Sequence, residues 1–302
     1  MTVTEATLRL GTRGSTLAMA QARSVAAELS RPVELVEVRT HGDASAQAVA
    51  RLGGTGVFVT ALRERLLAGE IDLAVHSLKD LPTAATPGLV VAAIPPREDP
   101  RDVLVARDEL GLAELPGGAR VGTGSPRRAA QLRALGLGLE VVATRGNVDT
   151  RLRLVSDGRL DAVVLARAGL ARLGRLTDAT EVLDPLQMLP APGQGALAVE
   201  CRADDEELRA LLRALDDPAT RAAVAAERAV LSALQAGCTA PVGALADFAD
   251  DELYLRAAVV AEDGSAAIRL SATGPALDPE GLGRLLAADL LSAGAADLMG
   301  DH

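Results

Sequence analysis

For the first 200 residues, strand-like runs alternate with helical ones, and this alternation constrains the fold more than any other feature. LRLGT (8–12) leads into a helix from about Ser15 to Leu29, and VELVEV (33–38) is a second strand. VFVTALRERLL (57–67) is helical, IDLAVHS (71–77) is a buried strand, and LVVAAI (89–94) follows. That run enters PPREDPRD (95–102), a Pro- and charge-rich crossing that reads as a domain boundary. The theme then repeats, with strands at DVLVA (102–106), RVGTGS (120–125), EVVAT (140–144) and DAVVLA (161–166). Helices begin near Pro126, Asn147 and Arg167, and LPAPGQGALAVECR (189–202) is a linker followed by a strand. Leu208, Leu211, Leu212 and Leu215 restore helical spacing. The pattern predicts an α/β protein with mostly parallel strands. The last third differs. A helix from about Pro218 to Gln235 ends at Gly237, LYLRAAVV and AAIRLSAT flank EDGS as a hairpin, and Asp278-Pro279 opens a closing helix. This is a small α+β domain.

Composition limits the function classes. With 302 residues and 49% apolar content, the chain suffices for two or three globular domains. No charge-free apolar stretch reaches the roughly 18 residues of a membrane span, and the N-terminus lacks a secretory pattern, so a cytoplasmic protein is expected. Cys201 and Cys238 have no paired spacing, which argues against a disulfide framework and a metal site. A formal net charge of −10 speaks against a nucleic-acid binder, so any anion must be held where arginines gather.

They gather at three strand-to-helix turns: GTRGS (11–15), GTGSPRR (122–128) and TRGNVDTR (144–151). A helix N-terminus offers unpaired N–H donors and partial positive charge, and Arg adds bidentate donors for carboxylate or phosphate. At any single turn, Ser or Asn serving as an ordinary N-cap beside solvated arginines is an equal reading. Three such turns at the carboxyl ends of parallel strands predict a ligand with several negative groups. GxGxxG and P-loop patterns are absent, which disfavours a nucleotide. A second candidate is HSLKD (76–80), where Lys79, the only lysine among 31 Lys plus Arg, stands beside Asp80. A third is Cys238 in QAGCTAPVG, on a loop past a helix; Cys201, within ALAVECR, reads as a buried, inert thiol.

In this order, HSLKDLP, GTGSPRR, TRGNVDTRL, APGQGALAVECR and AGCTAPVG resemble porphobilinogen deaminase, also called hydroxymethylbilane synthase. GTRGS and REDPRD (97–102) match as well, and the likeness runs from about Leu8 to beyond Leu290. It implies two doubly wound α/β lobes like those of two-lobed periplasmic binding proteins, with the site in their cleft, plus a small C-terminal α+β domain. The expected domains are 1–97 with 195–215, 98–194, and 216–302.

The resemblance further implies a dipyrromethane cofactor, bound as a thioether to Cys238. Onto it four porphobilinogen units are added head to tail, each losing ammonia, before hydrolysis releases hydroxymethylbilane. Lys79, Ser77, Thr123, Ser125, Arg127 and Arg128 would hold the cofactor. Arg13, Ser15, Arg145, Arg151, Arg172 and Gln194 would hold substrate carboxylates. Asp80 would accept pyrrole N–H groups and stabilise the azafulvenium cation, with Arg13 and Arg145 assisting departure of the amine. No metal, nucleic acid or membrane is implied, and the family suggests a monomer. One departure is the loop from about His41 to Gly56, which reads GGTG with Thr55, and has Arg51, where lysines are usual. Two alternatives remain. A non-catalytic two-lobed binding protein for a small dicarboxylate explains the Arg turns but not HSLKD or Cys238. A Cys-dependent amidase is disfavoured by having only three His.

Overall fold

The computed structural model describes residues 6–38, 56–236 and 240–299. Most of the 41–56 loop, with Arg51 and Thr55, and the Cys238 position lie outside the described residues. The chain divides into two compact units, 1–97 with 196–221 and 98–195 with 222–302.

The first unit begins with β1 (Leu8–Thr12), α1 (Thr16–Glu28), β2 (Val33–Glu37), α2 (Gly56–Leu67), β3 (Leu73–Ser77) and β4 (Leu89–Ala93). The second takes up β5 (Asp102–Ala106), β6 (Arg120–Thr123), α3 (Pro126–Ala134), β7 (Glu140–Ala143) and α4 (Val148–Ser156). It continues through β8 (Ala162–Ala166), α5 (Arg167–Arg172) and β9 (Glu181–Val182). The chain returns to the first unit for β10 (Leu197–Arg202) and α6 (Glu206–Leu212). Next, α7 (Pro218–Ala233) leads to β11 (Val242–Ala249), β12 (Glu252–Val260), β13 (Ala267–Pro275), α8 (Pro279–Ser292) and α9 (Ala295–Met299).

Each lobe carries one five-stranded sheet, ordered β2-β1-β3-β10-β4 in the first and β7-β6-β8-β5-β9 in the second. The first three strands of each sheet are parallel, as the alternation predicts, but β10 and β5 run antiparallel to both neighbours. These are the strands the chain forms just after crossing from one unit to the other, so no right-handed helical crossover fixes their direction.

Both sheets are buried on two faces, which is why their strands read as near-continuous apolar runs. In β5, Leu104 joins Val121, Leu132 and Val164 on one side, while Val103 and Val105 join Leu152, Val163 and Leu170 on the other. In the first lobe, Leu10, Leu73 and Val199 pack with Val25 and Leu212, and Ala74 faces Leu62, Leu66 and Ile71 across the sheet.

The C-terminal part is the small α+β domain, an antiparallel β11-β12-β13 sheet with α7 and α8 on one face. The EDGS hairpin forms, with Gly264 at φ +78° and Ala261 N–H donating to the Ala266 carbonyl at 2.9 Å. Strand β11 was not foreseen, because VGALADFA offers little β-branched or alternating signal. Glu227 of α7, fully buried, accepts from the backbone N–H groups of Gly193 at 2.7 Å and Ala246 at 2.9 Å. One carboxylate thereby joins the C-terminal sheet to the last loop of the second lobe.

Candidate functional site

In the second unit, two strand-to-helix turns come together. Strand β6 ends at Thr123, and Ser125 caps α3 by accepting from the Arg128 N–H at 3.4 Å, with Pro126 in the first turn. Beside it, Asn147 caps α4, accepting from the Thr150 N–H at 2.9 Å. The turns approach closely, since a Cβ at Gly124 would lie 2.5 Å from the Thr144 carbonyl oxygen and 3.3 Å from the Arg151 guanidinium. Only glycine fits there.

The caps are ordinary, but the arginines behind them are not solvated. Arg127 and Arg128 are buried against Asp102, the fully buried first residue of β5. Arg127 donates to Asp102 Oδ2 at 2.7 Å and to the Leu189 carbonyl at 2.5 Å. Arg128 donates to Asp102 Oδ1 at 2.8 Å and to the Val164 carbonyl at 3.1 Å. Gln194, also buried, donates to Asp102 Oδ1 and to the Pro100 carbonyl, both at 2.7 Å. Burial alone would raise the Asp102 pKa, yet the two guanidiniums outweigh it and hold the carboxyl well below the usual range.

Arg151 is half-buried beside Arg128, and among the described residues no carboxylate pairs with it; burial, then the neighbouring Arg128, push its pKa down. The Nε atoms of Arg127, Arg128 and Arg151 and the hydroxyl of Thr144 are buried without a hydrogen-bond partner. Such donors are costly unless a ligand supplies acceptors. Half-buried Arg172 donates to the Gly195 carbonyl at 2.6 Å, and Arg145 stands exposed on the turn before α4. Thr123 is buried, its hydroxyl accepting from the Ser125 N–H at 3.1 Å.

In the first unit, β1 ends at Thr12, Arg13 follows half-buried, and Ser15 caps α1 by accepting from the Ala18 N–H at 3.3 Å. Strand β3 delivers Ser77, whose hydroxyl accepts from Gln21 of α1 at 2.9 Å, and then a single 3₁₀ turn, Leu78–Asp80. The turn is pinned by Leu78 N–H donating to the Ala196 carbonyl at 3.0 Å. Lys79 and Asp80 are half-buried there. Among the described residues, Asp80 has no hydrogen-bond or ion-pair partner. One strand deeper, Glu200 of β10 takes Arg63 of α2 at 2.9 Å and His76 at 3.2 Å, with Glu200 and His76 buried and Arg63 partly exposed. Burial would raise the Glu200 pKa, but His76 and Arg63 hold it below its ordinary value.

Sequence reasoning did not find Asp102, Glu200 or Thr144. The available signal was an acid within an otherwise apolar strand, DVLVA or ALAVECR. The reading of Cys201 holds, because burial pushes its thiol up to about 11 and leaves it unreactive at neutral pH. Among the described residues no cluster of side chains suited to a metal occurs, and no helix is long and apolar enough to cross a membrane.

Comparison with known proteins bears on what this arrangement serves. Residues 8–210 match the family model described as porphobilinogen deaminase, dipyromethane cofactor binding domain, and 221–292 match the porphobilinogen deaminase C-terminal domain. The chain is 59% identical to porphobilinogen deaminase 1 of Streptomyces coelicolor, over 99% of each. It is 60% identical to the porphobilinogen deaminase of Nocardia farcinica, over 97% of this chain and 88% of the relative. The Mycobacterium tuberculosis porphobilinogen deaminase is 59% identical, over 97% and 98%. Likeness to solved structures is looser. The methionine-binding protein MetQ superposes with a TM-score of 0.42 at 14% identity, covering 69% of this chain and 89% of that one, and adds nothing to the assignment. The chain belongs to the porphobilinogen deaminase family.

Proposed function

We propose that this chain is a transferase that condenses four porphobilinogen molecules head to tail, then releases hydroxymethylbilane by hydrolysis. Each condensation breaks one carbon–nitrogen bond, forms one carbon–carbon bond and releases one ammonia. Besides the family match, the observation that carries this reading is the excess of buried guanidinium over carboxylate around Arg128 and Arg151. The substrate is a dicarboxylate, and its oligomers are polyanions. Unsatisfied buried donors at Arg128, Arg151 and Thr144 suit the carboxylates of a dipyrromethane group.

In this reading Thr123, Ser125, Arg127, Arg128, Ser77 and Lys79 hold the dipyrromethane, which is joined to Cys238 as a thioether. When bound, that group supplies the pyrrole end from which the chain grows. Arg13, Ser15, Arg145, Arg151 and Arg172 take carboxylates of the incoming substrate, and Arg13 and Arg145 assist departure of its amine. Gln194 acts from behind, since both ends of its amide are engaged with Pro100, Asp102 and Arg128. Asp80 accepts the substrate pyrrole N–H and stabilises the positive charge that develops as ammonia leaves. Three domains, the third beginning near residue 216, and a cytoplasmic monomer complete the proposal.

The test is incubation with porphobilinogen, following ammonia release and the intact mass of the denatured protein with peptide mapping. A mass excess of two porphobilinogen units less two ammonias, on the Cys238 peptide, is expected. A chain that releases no ammonia and stays bare at Cys238 would instead be the non-catalytic dicarboxylate binder, a reading that the relatives do not support.

A further inference from the structure

The second unit contains a buried charge imbalance. Arg127, Arg128 and Arg151 bring three guanidiniums together, and among the described residues Asp102 is the one carboxylate paired with them. Three other arginines of this unit are matched. Arg101 pairs with Asp99, Arg167 with Glu98 and Asp99, and Arg175 with Asp149 and Asp178. Removing cations from water without countercharge is costly, so a fold that buries this surplus is built to recover the cost from a ligand. Asp102 takes Arg127 on one oxygen and Arg128 and Gln194 on the other, and it accepts no hydrogen bond from Arg151.

We infer that Asp102 sets how many negative charges this site takes: it cancels one of three guanidinium charges and leaves two, the number that the acetate and propionate of one pyrrole ring supply. Asp102 is thus a specificity-determining residue that acts through the arginines, without touching the ligand. A second carboxylate at this place would make the site neutral to one arm of the ring. None at all would leave an extra buried cation in the ligand-free protein. The identity of the dianion rests on the deaminase reading, whereas the charge count does not.

The test uses the full chain prepared without cofactor, at pH 8 and constant ionic strength. Thermal midpoints are followed against acetate, succinate and propane-1,2,3-tricarboxylate as mono-, di- and trianion probes. For the unaltered chain the dianion should bind about tenfold more tightly than the monoanion, with no comparable further gain for the trianion. Asp102→Asn raises the surplus to three and should move the preference to the trianion. Arg151→Met lowers it to one and should abolish the advantage of the dianion over the monoanion. Should Asp102→Asn fail to fold, Asp102→Asn with Arg127→Met restores a surplus of two, and this pair must fold and keep the unaltered ranking. The inference is overturned if Arg151→Met retains the dianion preference, if Asp102→Asn folds with the unaltered ranking, or if the double variant unfolds or ranks the trianion first. The intact mass of porphobilinogen-treated protein separates the two claims. The expected ranking without mass gain keeps the charge count and removes the deaminase reading; mass gain without the ranking does the reverse.

Discussion

The two lobes share a strand order, and register aligns them residue by residue. Gly11 pairs with Ala74 as Gly122 pairs with Val163, and Ser77 faces Leu197 as Ala166 faces Asp102. Both lobes put a buried acid on the antiparallel fourth strand, but at different depths. Asp102 is level with the carboxyl end of β8, while Glu200 lies three residues further in, opposite Ala74. The consequence is a different pattern of paired and unpaired charge at equivalent rims. In the first lobe, Glu200 is paired inside with Arg63 and His76, and the turn after β3 presents Lys79 and Asp80, the latter without a side-chain partner among the described residues. In the second, the acid at the rim is outnumbered, so the turns present cationic donors. One scaffold therefore presents an unpaired carboxylate in one lobe and surplus guanidinium in the other, beside buried acids set at different depths.

The comparison breaks first at Asp80. Asp80→Asn should leave folding and cofactor loading intact and lower kcat by about 10²–10³-fold; near-normal turnover would remove its assigned role. Glu200→Gln should cost about 3–5 kcal/mol in urea unfolding, because it strands the partly buried Arg63 charge. A loss near zero would mean that the inner acid of the first lobe is dispensable.

The same pair has a pH signature. Glu200 is held below its ordinary value of 4.5, so its contribution is complete above that pH and is lost as pH falls through the lower folded value. Unfolding free energy against pH should therefore decline on the acid side, and the decline should be shallower in Glu200→Gln. Ser15→Ala and Ser125→Ala remove equivalent caps and should each cost about 1 kcal/mol. A larger loss at Ser125 would mean that its turn supports more than α3. Lys79→Arg is expected to have the smallest effect, about two- to fivefold slower cofactor loading by intact mass; unchanged loading would make the lone lysine incidental.

The strand-to-helix turns were legible because glycine, a capping side chain and an apolar run sit within a few residues of one another. GTRGS, GTGSPRR and TRGN each became such a turn in sequence order. The direction of β5 and β10 was not legible, since direction depends on where the chain arrives from rather than on composition. The buried acids were hidden for a related reason. Asp102 meets Arg127 25 positions away and Glu200 meets Arg63 137 positions away, so neither looks different from a solvated acid until the fold is known. For the same reason nothing in the sequence marks the interior carboxylate that Arg127 and Arg128 both engage.

The place of β10 in the first sheet also governs how the protein is made. It lies between β3 and β4, yet its residues, 197–202, follow the whole of the second lobe's sheet in the chain. As the polypeptide leaves the ribosome, β3 has an open edge until roughly two-thirds of the chain has been synthesised, a window of seconds at ordinary elongation rates. Residues 98–195 are complete within that window, so the lobe begun first is the lobe finished second.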